Sequence, residues 1–412
     1  MNITNLQLAL EQGITNIGAF LNVNGVLLNA AGILSNYNTG LVTITLGQII
    51  MILLALFFAY LAIGKKYEPL LLLPLAFGIL LANMPGANLS AYDEGGLMQF
   101  LYQGIIYVIY PPMIFLCIGS MTDFGPLIAS PKTVLIGLGG QLGIFTAFGL
   151  ALLIGKRLSP FISGFEGFTH SEAAAIGIIG SSDGPTAIFA ASQLAPDLLP
   201  TIAIAAFSYM ALVPFIQPPI MRLLTNAKER AVVMPAPKNV TKTQKILFPI
   251  IMAIIVLLLV PAAGVLIGMF MLGNLIKESG VAGRYMDTLH GPLLNVLTLL
   301  VAISIGSSAS ADRFLTPTTL IVVFLGLLAF AFGTFGGVLI AKLLHKTSGG
   351  KVNPLIGNAG VSAMPMAARI SQKMGQKYNS QNHLLMHAMG PIVSSTVLSA
   401  VVAGIFIAFF AG

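Results

Sequence analysis

Charge is the first thing this sequence lacks. Only 8% of its 412 residues are charged, against roughly a quarter in an ordinary soluble domain. Twenty basic and 13 acidic side chains cannot cover a soluble globule of this length, and 56% of the residues are hydrophobic. The mean hydropathy of +0.92 agrees. A soluble enzyme, a nucleic-acid binder and a disordered protein are therefore excluded as whole-chain readings. Cysteine is nearly absent as well. Cys117 alone excludes a disulfide framework and any cysteine-based zinc or iron–sulfur site. There is no HExxH pair, no Walker lysine and no triad spacing. The run Gly137–Gly140 follows no strand pattern and reads as helix packing, not as a dinucleotide loop. No basic segment precedes the apolar start, so it does not read as a signal peptide.

What is present is long apolar runs. A membrane-crossing helix needs about 20 mostly apolar residues. Such runs occupy 45–63, 69–83, 104–120, 133–155, 198–221, 246–260, 262–276, 289–306, 317–343 and 383–411. Several are short or adjacent, so an all-α polytopic membrane protein of about nine to eleven helical segments is expected. Residues 1–44 are apolar but interrupted by polar residues, and 14–34 reads as an interfacial or extra helix. The stretch 223–245 carries Lys228, Arg230, Lys238, Lys242 and Lys245 against Glu229 alone, which predicts a cytoplasmic loop. The loop 84–103 holds Asp93 and Glu94 without a basic residue and reads as external. The net charge of +7 then belongs to cytoplasmic loops. The 44 glycines and 23 prolines suggest helices that pack closely, break or re-enter.

Two segments interrupt the apolar pattern: 179–187, which contains Gly180-Ser181-Ser182-Asp183-Gly184-Pro185, and 353–369, from Asn353-Pro354 to Arg369. Unwound backbone at membrane depth is tolerated only where it lines a cavity or is buried in protein. The two breaks occupy corresponding places in a weak internal repeat. Ile118-Gly119-Ser120 with Pro131-Lys132-Thr133 resembles Ile305-Gly306-Ser307 with Pro317-Thr318-Thr319. The halves are 45–222 and 246–412, each with one broken or re-entrant element. Two such repeats, inverted relative to each other, would form a binding site at their interface.

Asp183 is the most informative residue. A carboxylate inside an apolar run costs roughly 2.5–3.5 kcal/mol on insertion scales. With freed carbonyls and the hydroxyls of Ser181, Ser182 and Thr186 it suits a hard monovalent cation or a proton; otherwise it caps a half-helix. Asn353, Asn358 and Ser362 would complete a cation cage with neutral oxygens, or serve as capping and packing groups. The Arg369 guanidinium suits a carboxylate or a planar ureido group, or it anchors the chain at the membrane edge. Tyr209 either relays a proton or packs. His387 reads as a packed histidine. Asp123, Glu172, Asp287 and Asp312 read as interfacial.

These motifs also carry a resemblance. Gly180–Phe189 (GSSDGPTAIF), Tyr209–Ile220 (YMALVPFIQPPI) and Asn353–Arg369 (NPLIGNAGVSAMPMAAR) resemble the β subunit of the sodium-pumping biotin-dependent decarboxylases. So do Lys66–Pro74 (KYEPLLLLP), Met121–Pro126 (MTDFGP) and Leu384–Pro391 (LLMHAMGP). The likeness runs from about residue 45 to the C-terminus. It implies a subunit that decarboxylates carboxybiotin, consumes a proton and couples this to outward Na+ transport. Asp183 would be the main sodium-site carboxylate, with Asn353 as a partner. Tyr209, Gly357, Ser362 and Arg369 match positions tied to coupling, proton supply or carboxybiotin handling. The implied partners are a carboxyltransferase α subunit, a biotin carrier and a small single-span γ/δ subunit; a homo-oligomer stays open. The biotin would sit on a partner, since this chain has no Met-Lys-Met site. The implied location is the bacterial cytoplasmic (inner) membrane. One departure stands out: the family commonly carries an asparagine after the Gly-Pro of the last helix, and here Ile392 follows Pro391. Either Asn358 substitutes for it, or the affinity or the choice of ion is altered. The alternative is a secondary transporter, a sodium/proton antiporter or sodium-coupled carrier, which needs no biotin partner. The acid that the complex decarboxylates is not legible in this chain.

Overall fold

The computed structural model describes residues 44–160, 165–236 and 239–411. The expected element over 14–34 lies outside them. The described chain is all-helical, with no strand. Its helices are α1 Leu46–Ile63, α2 Pro69–Ala82, α3 Leu97–Ile106, α4 Tyr110–Met121, α5 Gly125–Ala129, α6 Val134–Gly140, α7 Leu142–Leu158, α8 His170–Ile178, α9 Gly184–Leu194 and α10 Leu199–Leu224. After them come α11 Ala227–Arg230, α12 Lys242–Leu259, α13 Gly264–Ser279, α14 Gly283–Thr288, α15 Leu294–Ser308, α16 Ala311–Phe314, α17 Pro317–Thr347, α18 Met366–Tyr378 and α19 Leu385–Phe410. Seven described helical stretches are long and apolar enough to cross a membrane, or nine if each of two bent pairs is one span. This is a multi-pass membrane protein.

The chain divides into two compact units. The first holds α1, α2, the start of α3, and residues 302–315 with the end of α15 and α16. Within it α2 crosses the end of α15 glycine to glycine. A Cβ on Gly78 would lie 2.5 Å from the Ile303 carbonyl, and one on Gly306 would lie 2.3 Å from the Leu75 carbonyl. Close backbone approach of this kind replaces the hydrophobic drive that lipid cannot supply. Asn83 ties the ends together by donating to the Ala309 carbonyl at 2.9 Å and accepting from the Ala311 N–H at 2.9 Å.

The second unit holds the remainder. Helix α19 is its inner element: 67% of its most apolar window is buried, against 11% for α12, whose leucines and isoleucines face outward. Leu257, Leu258 and Leu259 are exposed, as lipid-facing residues are. Helix α10 bends by 63° between Tyr209 and Leu212. Pro214 is the physical cause, because it leaves the carbonyl four residues back without its helical donor. The run Gly137–Gly140 packs helices as its composition suggested. A Cβ on Gly139 would lie 2.7 Å from the Gly336 carbonyl of α17, and one on Gly140 would lie 1.7 Å from the Gly360 carbonyl.

Candidate functional site

The first break begins where helix α8 tightens into a 3₁₀ turn, Ile179–Ser181. Ser182 then takes a left-handed conformation (φ +56°) and Asp183 an extended one. A non-glycine residue held there is uncommon and marks a site where the surroundings enforce it. Helix α9 restarts at Gly184, with Pro185 in its first turn, where a missing N–H costs nothing. Asp183 caps this helix. Its carboxylate accepts from the Thr186 N–H at 3.4 Å, from the Thr186 hydroxyl at 2.8 Å and from the Ser399 hydroxyl of α19 at 3.4 Å. Asp183 is only 6% exposed. It takes part in none of the ion pairs among the described residues. A buried carboxylate without a cationic side chain must be neutralised by a proton or a bound cation, because desolvating an unpaired charge is expensive.

The second break is a 3₁₀ run, Pro354–Gly360, followed by extended Val361. It meets the first break directly: the Ser362 N–H donates to the Ser181 carbonyl at 2.8 Å. The Ser362 hydroxyl donates to Ser395 of α19 at 3.2 Å. Ser395 also receives the side-chain amide of Gln141 at 3.3 Å. Ser395 and Ser399 are four residues apart on one helix and therefore share a face. Asp183, Ser362, Ser395, Ser399 and Gln141 thus form one buried polar strip. No group of three or more His, Cys, Asp or Glu side chains clusters among the described residues. The strip is a single carboxylate among neutral oxygens. That donor set suits a hard monovalent cation, which binds and must also leave.

The other sequence-nominated residues have different surroundings. Tyr209 is 4% exposed, and its hydroxyl donates to the Val323 carbonyl of α17. A Cβ on Gly326 would touch both the Tyr209 ring, at 2.6 Å, and Ile179 of the first break, at 3.0 Å. Gly357 lies where a Cβ would sit 2.4 Å from the Val338 Cα, so the second break is seated on the α17 backbone. Asn353 caps the 3₁₀ run by accepting from the Leu355 N–H at 3.0 Å. Its amide donates to the Arg230 carbonyl at 3.0 Å and to the Val232 carbonyl at 2.7 Å. Asn358 donates to Gln217 at 2.8 Å and to the Ala367 carbonyl at 2.9 Å, and it accepts from the Ser371 hydroxyl. Neither asparagine bonds to Asp183 or its hydroxyl partners. Ile392 packs in an apolar cluster with Ile136, Phe330 and Val361. Arg369 is exposed on α18 and has no carboxylate partner among the described residues.

The basic loop is clasped from several sides. Arg230 donates to Tyr378 at 2.6 Å and to the Arg222 carbonyl at 2.7 Å, and it lies 5.0 Å over the Tyr378 ring. The MTDFGP motif is a second clasp. Asp123 accepts from the Gly125 N–H at 2.8 Å and pairs with Lys245 at 2.9 Å. Asp123 is part-buried, which alone would raise its pKa. The Lys245 and Gly125 hydrogen bonds and the Lys245 charge outweigh burial and hold it below the usual carboxylate value.

Gln141, Ser395 and Ser399 were not singled out by sequence reasoning. The signal was present but weak: one glutamine among glycines, and the hydroxyls of Ser394, Ser395, Thr396 and Ser399 in a mostly apolar helix.

Comparison with known proteins gives a consistent picture. The sequence profile of the Na+-transporting oxaloacetate decarboxylase β subunit matches residues 47–410. The methylmalonyl-CoA decarboxylase β subunit of Propionigenium modestum is 48% identical over 91% of this chain and 98% of its own length. The glutaconyl-CoA decarboxylase β subunit of Acidaminococcus fermentans is 49% identical over 91% and 96% respectively. Oxaloacetate decarboxylase β chain 2 of Salmonella typhi is 44% identical over 90% and 96%.

Proposed function

Because this chain belongs to the family of the Na+-transporting oxaloacetate decarboxylase β subunits, we propose that it is the membrane subunit of a sodium-translocating decarboxylase, in which carboxybiotin brought by a partner is decarboxylated and the reaction drives Na+ outward. The observation that carries this reading is Asp183: a carboxylate buried at the meeting of two broken elements, with hydroxyl partners and no ion pair to a cationic side chain among the described residues.

Moving one charge across a membrane costs about 2.3 kcal/mol per 100 mV. An exergonic step must be coupled to it. Cleavage of the N–CO2 bond of carboxybiotin releases CO2, and the nitrogen takes up one proton. Na+ and this proton share Asp183 in turn: Na+ occupies the carboxylate, and a proton replaces it when the ion leaves. Ser362 and Ser399 supply neutral oxygens beside it. Tyr209, on the bend of α10, lies on the proton's side of the exchange. Arg369 receives the carboxylated cofactor. No acidic residue follows Asp312 in the sequence, so the face that carries Arg369, Lys373 and Lys377 attracts an anion. Asn353, Gly357 and Asn358 brace the second break against the basic loop and α17. The two halves act as related, inverted repeats. Supporting this, a Gly-Ser pair stands near the end of α4 (Gly119-Ser120) and of α15 (Gly306-Ser307), each of those helices is followed by a short helix, α5 or α16, and an apolar span, and each half closes on a helix of 26 residues, α10 or α19; the first half carries α8 in addition before its break. Rocking one half against the other would expose Asp183 to each side in turn.

The partners are a carboxyltransferase subunit, a biotin carrier and a small single-span subunit, in a bacterial cytoplasmic membrane. Affinity capture of this chain from its own membranes tests the reading. A biotinylated protein should co-purify, and the captured complex should show Na+-stimulated decarboxylation of a carboxylic acid or CoA ester. Capture without biotin, together with Na+/H+ exchange by the purified chain alone, would establish the secondary-transporter alternative.

A further inference from the structure

Five buried side-chain polar atoms among the described residues lack a hydrogen-bond partner. Gln141 Oε1 is one of them, and Gln141 is only 3% exposed. The residue sits between α6 and α7, inside the apolar stretch Pro131–Leu158. Its amide nitrogen donates to the Gly137 carbonyl at 3.1 Å and to Ser395 at 3.3 Å. Those partners fix the amide's orientation: turning it over would set its oxygen against the Gly137 carbonyl. The unpaired oxygen is therefore the free end.

We propose that Gln141 is a specificity-determining residue of the ion path, offering its side-chain carbonyl oxygen to Na+ one helical turn along α19 from the Asp183 carboxylate. The inference rests on the sodium-pump reading above. The connection is continuous. Gln141 binds Ser395, Ser395 shares a helix face with Ser399, and Ser399 donates to Asp183 at 3.4 Å. Ser362 joins the same serine from the second break at 3.2 Å. A leucine would fill the position without burying an unmatched oxygen, so packing does not explain an amide there. The glycines at 137, 139, 140 and 143 bring neighbouring backbones close enough to hold the amide in place. A neutral oxygen beside a carboxylate strips water from Na+ without adding charge that would trap it. A proton needs no such ring of oxygens, so this group favours Na+ over H+.

The test uses the assembled complex with Q141L, Q141E and, in parallel, D183N. Q141L should raise the Na+ concentration for half-maximal activity about tenfold, with turnover at saturating Na+ within about twofold of the parent. Q141E keeps the shape and adds a titratable group, so its half-saturation should depend on pH more steeply than the parent's, tightening as pH rises. If Q141L does not assemble, Q141E decides alone. A half-saturation in Q141E that follows pH no more steeply than the parent's, or an unchanged one in Q141L, overturns the proposal. The parent and D183N separate the two levels. If the parent takes up no Na+ during decarboxylation, the sodium-pump reading fails; if the parent pumps and D183N does not, while both Gln141 variants behave as the parent, only the role of Gln141 fails.

Discussion

The Ser362 N–H donates to the Ser181 carbonyl at 2.8 Å, so the two broken elements of the membrane domain are hydrogen-bonded to each other. Each break frees backbone groups that lipid cannot satisfy, and each supplies part of what the other needs. The same contact sets Ser362 next to the strip that ends on Asp183. Closure of this junction depends on glycine. A Cβ on Gly140 would lie 1.7 Å from the Gly360 carbonyl, which backbone cannot yield. Gly140→Ala should therefore destabilise the protein by about 1–3 kcal/mol or more. Gly149→Ala, which would meet nothing within 4 Å, should be near neutral. Thermal unfolding of the two variants in detergent measures the difference.

Asn353 separates two roles that the sequence leaves open. Its amide donates to the carbonyls of Arg230 and Val232. Asn353→Ala would leave both without that donor, at a cost of about 1–3 kcal/mol. Asn353→Asp would set a carboxylate oxygen against them and should cost more. Both variants should speed tryptic cleavage at Lys228 and Arg230, with Asp the faster. A direct Na+ ligand would behave oppositely: Asp would preserve or tighten Na+ binding, and the loop would stay protected.

Arg369 is exposed and carries a fork of donors suited to a carboxylate. Arg369→Lys keeps the charge and loses the fork. Hydrogen bonds to charged groups contribute about 1.5–3 kcal/mol, so carboxybiotin turnover should fall roughly 10- to 100-fold. The Na+ half-saturation should hardly move. Single-turnover decarboxylation of free carboxybiotin measures the first quantity, and unchanged turnover would reduce Arg369 to an interfacial anchor.

Asp123 gives the protein an acid limb. Partial burial opposes its ionisation, but Lys245 and the Gly125 N–H hold its pKa below the usual value. Its contribution is therefore complete at neutral pH and is lost as pH falls below about 4 toward the lowered value. The side chain is 37% exposed, so solvent screening limits the pair to about 1 kcal/mol or less. Asp123→Asn should lower stability at pH 7 and flatten its decline below pH 5. Parallel unfolding curves for the two proteins across that range would contradict this.

The spans were legible because a helix in lipid must be apolar over its whole length, and every run read from the sequence has a helix on it. The break at Asp183 was legible because serine, aspartate, glycine and proline together cannot continue a helix. The contact between Ser181 and Ser362 was not, because no local pattern encodes pairing between segments so far apart in the chain. Asn353 and Asn358 were nominated beside Asp183 on residue type alone, because asparagine oxygen is generic. The hydrogen bonds they make in this structure, to backbone carbonyls of the basic loop and to Gln217 on α10, are set by tertiary packing. Gln141 lay beside a run correctly read as packing glycines, and its neighbours' role masked its own.

The central claim is that Asp183 is where sodium and proton exchange. Reconstituting the complex with Asp183→Asn and following radioactive sodium into inverted vesicles during decarboxylation measures it most directly. The amide keeps the helix cap and the shape, so the complex should assemble, yet Na+ uptake should be abolished. Na+ uptake at the parental rate by Asp183→Asn would contradict the claim.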